Sequence, residues 1–220
     1  MVVAIVFSLD TEIKPLLGRF QNSNLLFHRT GIGMHHAHEA TEELVHCHKP
    51  QLILSVGFAG AAKADLKTGD LILATEIRSE SLKDRFLTAS EETNRMEQEL
   101  RRAGIPFHKG PLKTLWKMGV ATAKAQAHQE GALAVDMETA AIAAIAQKAC
   151  VPLVSLRVIF DTMVEDLSFK ESFDEQHPWQ FLFQNPGVIL KIPRYARMNC
   201  VARRNLCRAM TSFLNGRIKA

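Results

Sequence analysis

The chain has only four cysteines in 220 residues, and none stands in a CxxC pair. Cys47, Cys150, Cys200 and Cys207 lie in apolar or helical surroundings. That predicts reduced, buried thiols in a cytoplasmic protein and speaks against a disulfide scaffold. No run approaches the ~18 uncharged apolar residues that a bilayer span requires. The opening MVVAIVFSLD lacks a basic leading region and a small-residue cleavage site, so it reads as a first strand and not as an export signal. GxGxxG and GxxxxGK[ST] are both missing, which removes the generic glycine-loop nucleotide folds. Repeats, low-complexity tracts and clear linkers are missing too. Acidic residues stop at Glu175, whereas Lys191, Arg194, Arg197, Arg203, Arg204, Arg208, Arg217 and Lys219 follow. A one-sided basic tail of this kind is attracted to something anionic.

Hydrophobic residues make up 47% of the chain and charged residues 23%, which is an ordinary globular balance. A chain of this length buries roughly 70% of its unfolded surface in one core. A single domain over 1–220 is expected, with a basic helical extension from about residue 179. Apolar runs rich in β-branched residues (Val2–Leu9, Gln51–Val56, Asp70–Ile77, Ala132–Met137, Leu153–Phe160) predict strands. Helical patterns stand between them: Asp10–Phe20, the histidine-rich AHEATEELVHCH, a polar helix from Ser90 with Met96 and Leu100 inward, and the Ala-rich Thr139–Cys150. GFAGAAKADLKTG, between the second and third strands, reads as a Gly/Ala turn. The alternation makes an α/β layer protein with a mixed, largely parallel sheet buried on both faces.

In open α/β sheets ligands bind beyond the C-terminal ends of the strands. Here those ends carry Asp10 and Glu12, Gly57–Gly60, Asp136–Glu138, and Asp161. Taken singly, an acid at a strand end also reads as a helix cap or a first-turn acid. Taken together, several carboxylates converging on one crevice suit acid–base chemistry on a neutral, hydroxyl-rich substrate. His28, His35, His36, His38, His46 and His48 crowd the first quarter, but they run on as a helix without metal-ligand spacing, so no metal site is expected.

VDMETAAIA (Val135–Ala143) resembles the V-[DE]-M-E-x-x-A-[IV]-A signature of the family-1 purine/uridine nucleoside phosphorylases and nucleosidases. Other landmarks follow in the family's order: LDTEIKPL, Gly31-Ile-Gly33, KPQLILSVGFAGA with TGD after it, and VPLVSLRVIFD. The resemblance spans residues 1 to about 168. It implies a three-layer α/β/α sandwich that cleaves the bond between ribose C1′ and a nucleobase nitrogen, without a cofactor beyond inorganic phosphate as a candidate co-substrate. On this likeness Asp161 is the general acid, with a carboxyl raised by desolvation at an apolar strand end, and Glu12 activates water. Glu138 holds the ribose hydroxyls, and Met137 packs on the sugar. Gly57, Phe58 and Ala59 form the loop beside the base. Arg157 orients the carboxylates, Arg29, Gly33 and Arg78 are the phosphate-side candidates, and Trp116 either stacks on the base or belongs to the core.

The chain also departs from the family pattern. Phe58 stands where a Ser or Thr is usual, and the phosphorylase Gly-Asp-Pro-x-x-Arg loop is missing. The Phe58 loop, the ATAKAQAHQEGALAVDMET run and the tail are similar to the hopanoid-associated branch, which implies an adenine nucleoside with a lipidic 5′ group. The alternative is a catalytically silent nucleoside-binding protein on the same fold. The expected partners are a nucleoside substrate and a second copy of the chain in a homo-oligomer, with no nucleic acid. A peripheral contact at the inner membrane surface is expected through Trp179–Ile192 and the helical stripe Met198, Ala202, Leu206, Met210 and Phe213. That stripe can equally pack on its own sheet.

Overall fold

The computed structural model describes residues 1–20, 24–80, 85–117, 121–163 and 192–218. Strand β1 (Val3–Phe7) lies between β2 (Leu25–Arg29) and β3 (Leu52–Ala61), parallel to both. On its other side β3 runs parallel to β8 (Leu153–Asp161), which pairs antiparallel with β4 (Leu71–Ser79). β4 in turn pairs antiparallel with the short β5 (Arg85–Leu87) and parallel with β6 (His108–Thr114). β6 is parallel to β7 (Ala134–Asp136), and β7 returns antiparallel to Gly60 and Ala61 of β3. The sheet is therefore mixed, and it closes on itself through β3, β8, β4, β6 and β7.

Helices cover both faces. Along β1, Val3, Ile5 and Phe7 face α1 (Asp10–Leu17), α3 (Ser90–Arg102) and the long C-terminal α6 (Ile192–Ile218). The intervening Ala4 and Val6 face α2 (Met34–His48) and α5 (Thr139–Lys148). Leu52, Leu54 and Val56 of β3 likewise alternate with Ile53, as the two-residue period of a strand requires. Residues buried on both faces explain the near-continuous apolar strands. The expected three-layer α/β/α architecture is present.

Several elements differ from expectation. Of the segment read as a Gly/Ala turn, the first five residues, Gly57–Ala61, are instead the second half of β3. Gly57 through Gly60 pair with β8, and Gly60 and Ala61 then pair with β7, while the turn proper follows from Ala62. A register shift between Ala59 and Gly60 lets one strand serve both partners. β2, β6 and α4 (Ala121–Gln129) were not anticipated. All four thiols are free, but Cys47, Cys150 and Cys200 are exposed and only Cys207 is buried. Cys207 lies under α1, where burial pushes its thiol up to about 11.

Helix α6 carries the predicted apolar stripe, and Met198, Ala202, Leu206, Met210 and Phe213 are all buried against the face formed with α1, α3 and β8. This stripe is core. Trp179 to Lys191 lie outside the described residues, and among the described residues no helix is long and apolar enough to cross a membrane. Phe213→Ala is expected to cost about 3–5 kcal/mol in urea unfolding, as for other buried aromatic truncations. Arg204→Ala on the exposed side should stay within about 0.5 kcal/mol. Equal losses at the two positions would take the helix out of the core.

Candidate active site

Five chain segments meet at the C-terminal ends of β1, β3, β7 and β8. After β1 the chain turns through Ser8 and Leu9 into α1, and Glu12 reaches back over that turn. Its Oε2 accepts the backbone N–H groups of Ser8 and Leu9, both at 3.0 Å, and its Oε1 accepts that of Phe58 at 2.8 Å. These donors and the nearby Arg157 favour the carboxylate, but burial outweighs them and raises the Glu12 carboxyl above its ordinary value.

Glu12 comes this close to β3 because residue 57 is glycine. A Cβ there would collide with Nη1 of Arg157 and lie 2.8 Å from Oε1 of Glu12. Arg157, only 1% exposed, projects from β8 into the layer between the sheet and α5. Its Nη2 forms an ion pair with Oδ2 of Asp136 at 3.0 Å and donates to Ser55 Oγ at 2.9 Å. Its Nε and Nη2 both donate to Thr139 Oγ1, at 3.1 and 2.5 Å. Thr139 passes its own hydroxyl proton toward Asp136 and adds its backbone N–H at 3.1 Å. Thr114 Oγ1 donates to the other oxygen of Asp136 at 2.6 Å. Asp136 thus caps the start of α5 and holds the arginine at once.

Glu138 follows two residues later, at the N-terminus of α5. It is buried, and its Oε1 accepts the backbone N–H of Gly33 at 2.9 Å. Gly33 has φ +95°, a left-handed conformation that suits glycine, and it opens α2 so that this N–H points across to α5. Burial first, and the neighbouring Asp136 second, push the Glu138 carboxyl up to about 7, against the pull of Arg157. Met137, between the two acids, is half-buried.

Asp161 ends β8 in register with Gly60. Instead of the purely apolar strand end expected from sequence, it meets an ammonium. Lys124 of α4 is 1% exposed, forms an ion pair with Asp161, and donates to the carbonyl of Thr162 at 2.9 Å. Lys124 escaped the sequence reading because it sits in a short Ala-rich stretch with no apolar stripe around it. The faint signal was its spacing three residues before Ala127, the other buried residue of that helix.

The structure thus brings Glu12, Gly57, the Phe58 backbone, Arg157, Glu138 and Gly33 together, with Asp161 at the adjoining strand end. Ala59 is buried in β3, and the Phe58 ring turns to the α1 face and stacks on Phe160 at 5.3 Å. Arg29 and Arg78 do not join the group. Arg29 is exposed at the end of β2 and pairs with Asp10 at 3.4 Å. Arg78 bonds Glu76 at 3.0 Å and the carbonyl of Glu130. Trp116 is not a core residue: it is 56% exposed, just past β6, with its backbone N–H on Glu80 at 3.0 Å.

Known proteins share this fold. The chain is 27% identical over 179 residues to a 5′-methylthioadenosine/S-adenosylhomocysteine nucleosidase of Glaesserella parasuis, covering 73% of this chain and 77% of that one. It also resembles the crystal structure of the Neisseria meningitidis nucleosidase of the same name in complex with methylthio-immucillin-A. The TM-score there is 0.76 at 18% identity, over 98% of this chain and 99% of that one. A futalosine hydrolase of Helicobacter pylori superposes with a TM-score of 0.77 at 17% identity, over 98% of each chain. Residues 11–179, most of the chain, match the model of the phosphorylase superfamily, and the protein belongs to that superfamily.

Proposed function

We propose that the protein is an enzyme that cleaves the N-glycosidic bond of a purine nucleoside, in the first instance an adenine nucleoside, with water as the acceptor. The reading is carried by the meeting of Glu12, Glu138 and Arg157 around the side-chain-free Gly57, with Asp161 at the neighbouring strand end. Breaking the bond leaves positive charge on the sugar and negative charge on the departing base. Glu138 accepts the ribose hydroxyls, and charge-assisted bonds of this kind contribute ~1.5–3 kcal/mol each. Glu12, fixed by three backbone N–H groups, takes the proton of an attacking water. Asp161 delivers a proton to the purine as it leaves, and Met137 packs on the sugar face. The names of the nucleosidase and futalosine hydrolase relatives support hydrolysis. The engagement of Arg157, Arg29 and Arg78 with other residues favours water over phosphate.

The decisive assay is adenine release from adenosine derivatives carrying 5′-methylthio, 5′-homocysteinyl or long alkyl groups, with and without phosphate. Release is expected without phosphate. The long alkyl arm tests the lipidic 5′ group implied by the hopanoid-branch likeness. Glu12→Gln and Asp161→Asn should each lower the rate ~10²–10⁴-fold while the chain stays folded. Rates within a few-fold of the parent would remove both residues from the chemistry, and strict phosphate dependence would replace hydrolysis with phosphorolysis.

Glu138 ties binding and stability to pH. Its ionised form is the better acceptor for ribose hydroxyls, so KM should fall as pH rises through about 7. Stability moves the other way. The folded state keeps a proton that the unfolded chain gives up near 4.5, so the contribution of Glu138 is present below that pH and is lost as pH rises through about 7. Glu138→Gln, which retains an acceptor for Gly33, should therefore stabilise the fold at about pH 8 by on the order of 3 kcal/mol, and by less at about pH 5. Equal Tm changes at both pH values would contradict this.

Arg194, Arg197, Arg204 and Arg208 of α6 remain exposed while its apolar stripe is buried. A peripheral contact with anionic membranes follows, each arginine near the surface contributing ~1 kcal/mol. Co-sedimentation with phosphatidylserine vesicles at low salt should be lost when Arg197, Arg204 and Arg208 are neutralised. Failure of the parent to bind would remove the membrane contact.

A further inference from the structure

The buried ion pair of Lys124 and Asp161 has a consequence for the proton that the departing base needs, if the protein cleaves purine nucleosides as proposed. Lys124 projects from α4 and is almost wholly enclosed. Its ammonium is held by Asp161 and by the Thr162 carbonyl, and the methylene next to it lies against the backbone of Gly60, where a Cβ would stand 3.0 Å from it. The same Cβ would lie 3.1 Å from Asp161, so β3 supplies a wall without a side chain against which both partners sit. A burial of this kind is costly for a lysine that serves only as filling. An Ala-rich helix such as α4 could have presented alanine or leucine at position 124 at no cost in desolvation.

We propose that Lys124 is the proton source behind Asp161, a positioning residue that acts on the base only through that carboxyl. As the C1′–nitrogen bond breaks, its electron pair moves onto the purine. The Lys124 ammonium passes a proton to the Asp161 carboxylate, which hands it on to a purine nitrogen, leaving Asp161 ionised again and Lys124 a neutral amine. The water that adds to C1′ yields its proton to Glu12, and exchange with solvent returns one proton from Glu12 and restores one to Lys124. The sum is one water consumed and one base and one ribosyl product released. Lysine suits this task because its ammonium carries a transferable proton and leaves a stable neutral amine. A guanidinium does not, since it stays protonated throughout the usable pH range.

Lys124→Arg separates the relay from a merely structural ion pair, because arginine keeps the charge and the pairing but not the transferable proton. The parent and the variant are compared on two ribosides. One is adenosine, whose base leaves only with a proton. The other is 4-nitrophenyl β-D-ribofuranoside, whose phenolate leaves unaided. The relay predicts a ~10²–10⁴-fold loss of kcat on adenosine and a change of no more than about 5-fold on the nitrophenyl riboside. Lys124→Met should show the same selectivity. Circular dichroism of the double variant Lys124→Met/Asp161→Asn, which removes both charges of the pair together, checks that the pocket folds. An adenosine rate retained by Lys124→Arg overturns the relay and leaves Lys124 a structural partner. Equal losses on the two ribosides overturn it as well. A parent that releases no adenine from adenosine or its 5′ derivatives overturns base cleavage itself, which is a different failure.

Discussion

A guanidinium taken out of water forfeits several kcal/mol of hydration, which only charged and hydrogen-bonding partners can restore. Arg157 finds them on three elements: Ser55 of β3, Asp136 at the end of β7 and Thr139 at the start of α5. Removing one partner from such a buried pair typically costs about 3–5 kcal/mol, so these strand ends and the helix start are locked in one arrangement. Every other feature of the site is placed by it. Glu138 stands two residues from Asp136 and Asp161 four residues from Arg157, on strands that cannot slide. Gly57 is required because the arginine and Glu12 together fill the space that a side chain would need.

The same cluster sets the local field. Glu12, Asp136 and Glu138 share the one guanidinium, and Asp136 holds it most closely, at 3.0 Å. Burial raises both Glu12 and Glu138, and for Glu138 the neighbouring Asp136 adds to it, so that Glu138 retains a proton to about 7. A site built in this way is unfavourable for its own carboxylates and favourable for a cation that arrives between them. In the proposed reaction, positive charge on the sugar would meet groups already fixed before it develops, with no reorganisation at that moment.

The legible parts of the sequence were those where one physical signal dominated. The strands β1, β3, β4 and β8 announce themselves as β-branched apolar runs, and α3 and α5 as periodic patterns bounded by Ser90 and Thr139. β6 was illegible because HKGPLKT carries two lysines, a glycine and a proline, and gains its apolar surroundings only from β4 and β7. GFAGA reads locally as a turn, and only pairing with two strands far along the chain makes it extended. Glu12, Glu138 and Asp161 could be picked out because acids at strand ends are few. Lys124 could not, since its burial follows from where α4 docks. Arg29 and Arg78 show the converse, since a basic residue near a motif does not reveal which acid it will choose.

The closed circuit of β3, β8, β4, β6 and β7 also bears on how the chain matures as it leaves the ribosome. Leu52–Ala61 pairs along almost its whole length with Leu153–Asp161, so its outer edge stays unmatched until roughly a hundred more residues are made, about 5–20 s at usual elongation rates. During that interval a ten-residue apolar strand offers unsatisfied backbone groups to any extended neighbour, including a second nascent copy on the same message. The covering helix α6 comes later still. Non-local pairing of this kind makes slow, all-at-once closure the expected course, and it places the period of greatest aggregation risk before the end of β8, with Asp161, has been synthesised.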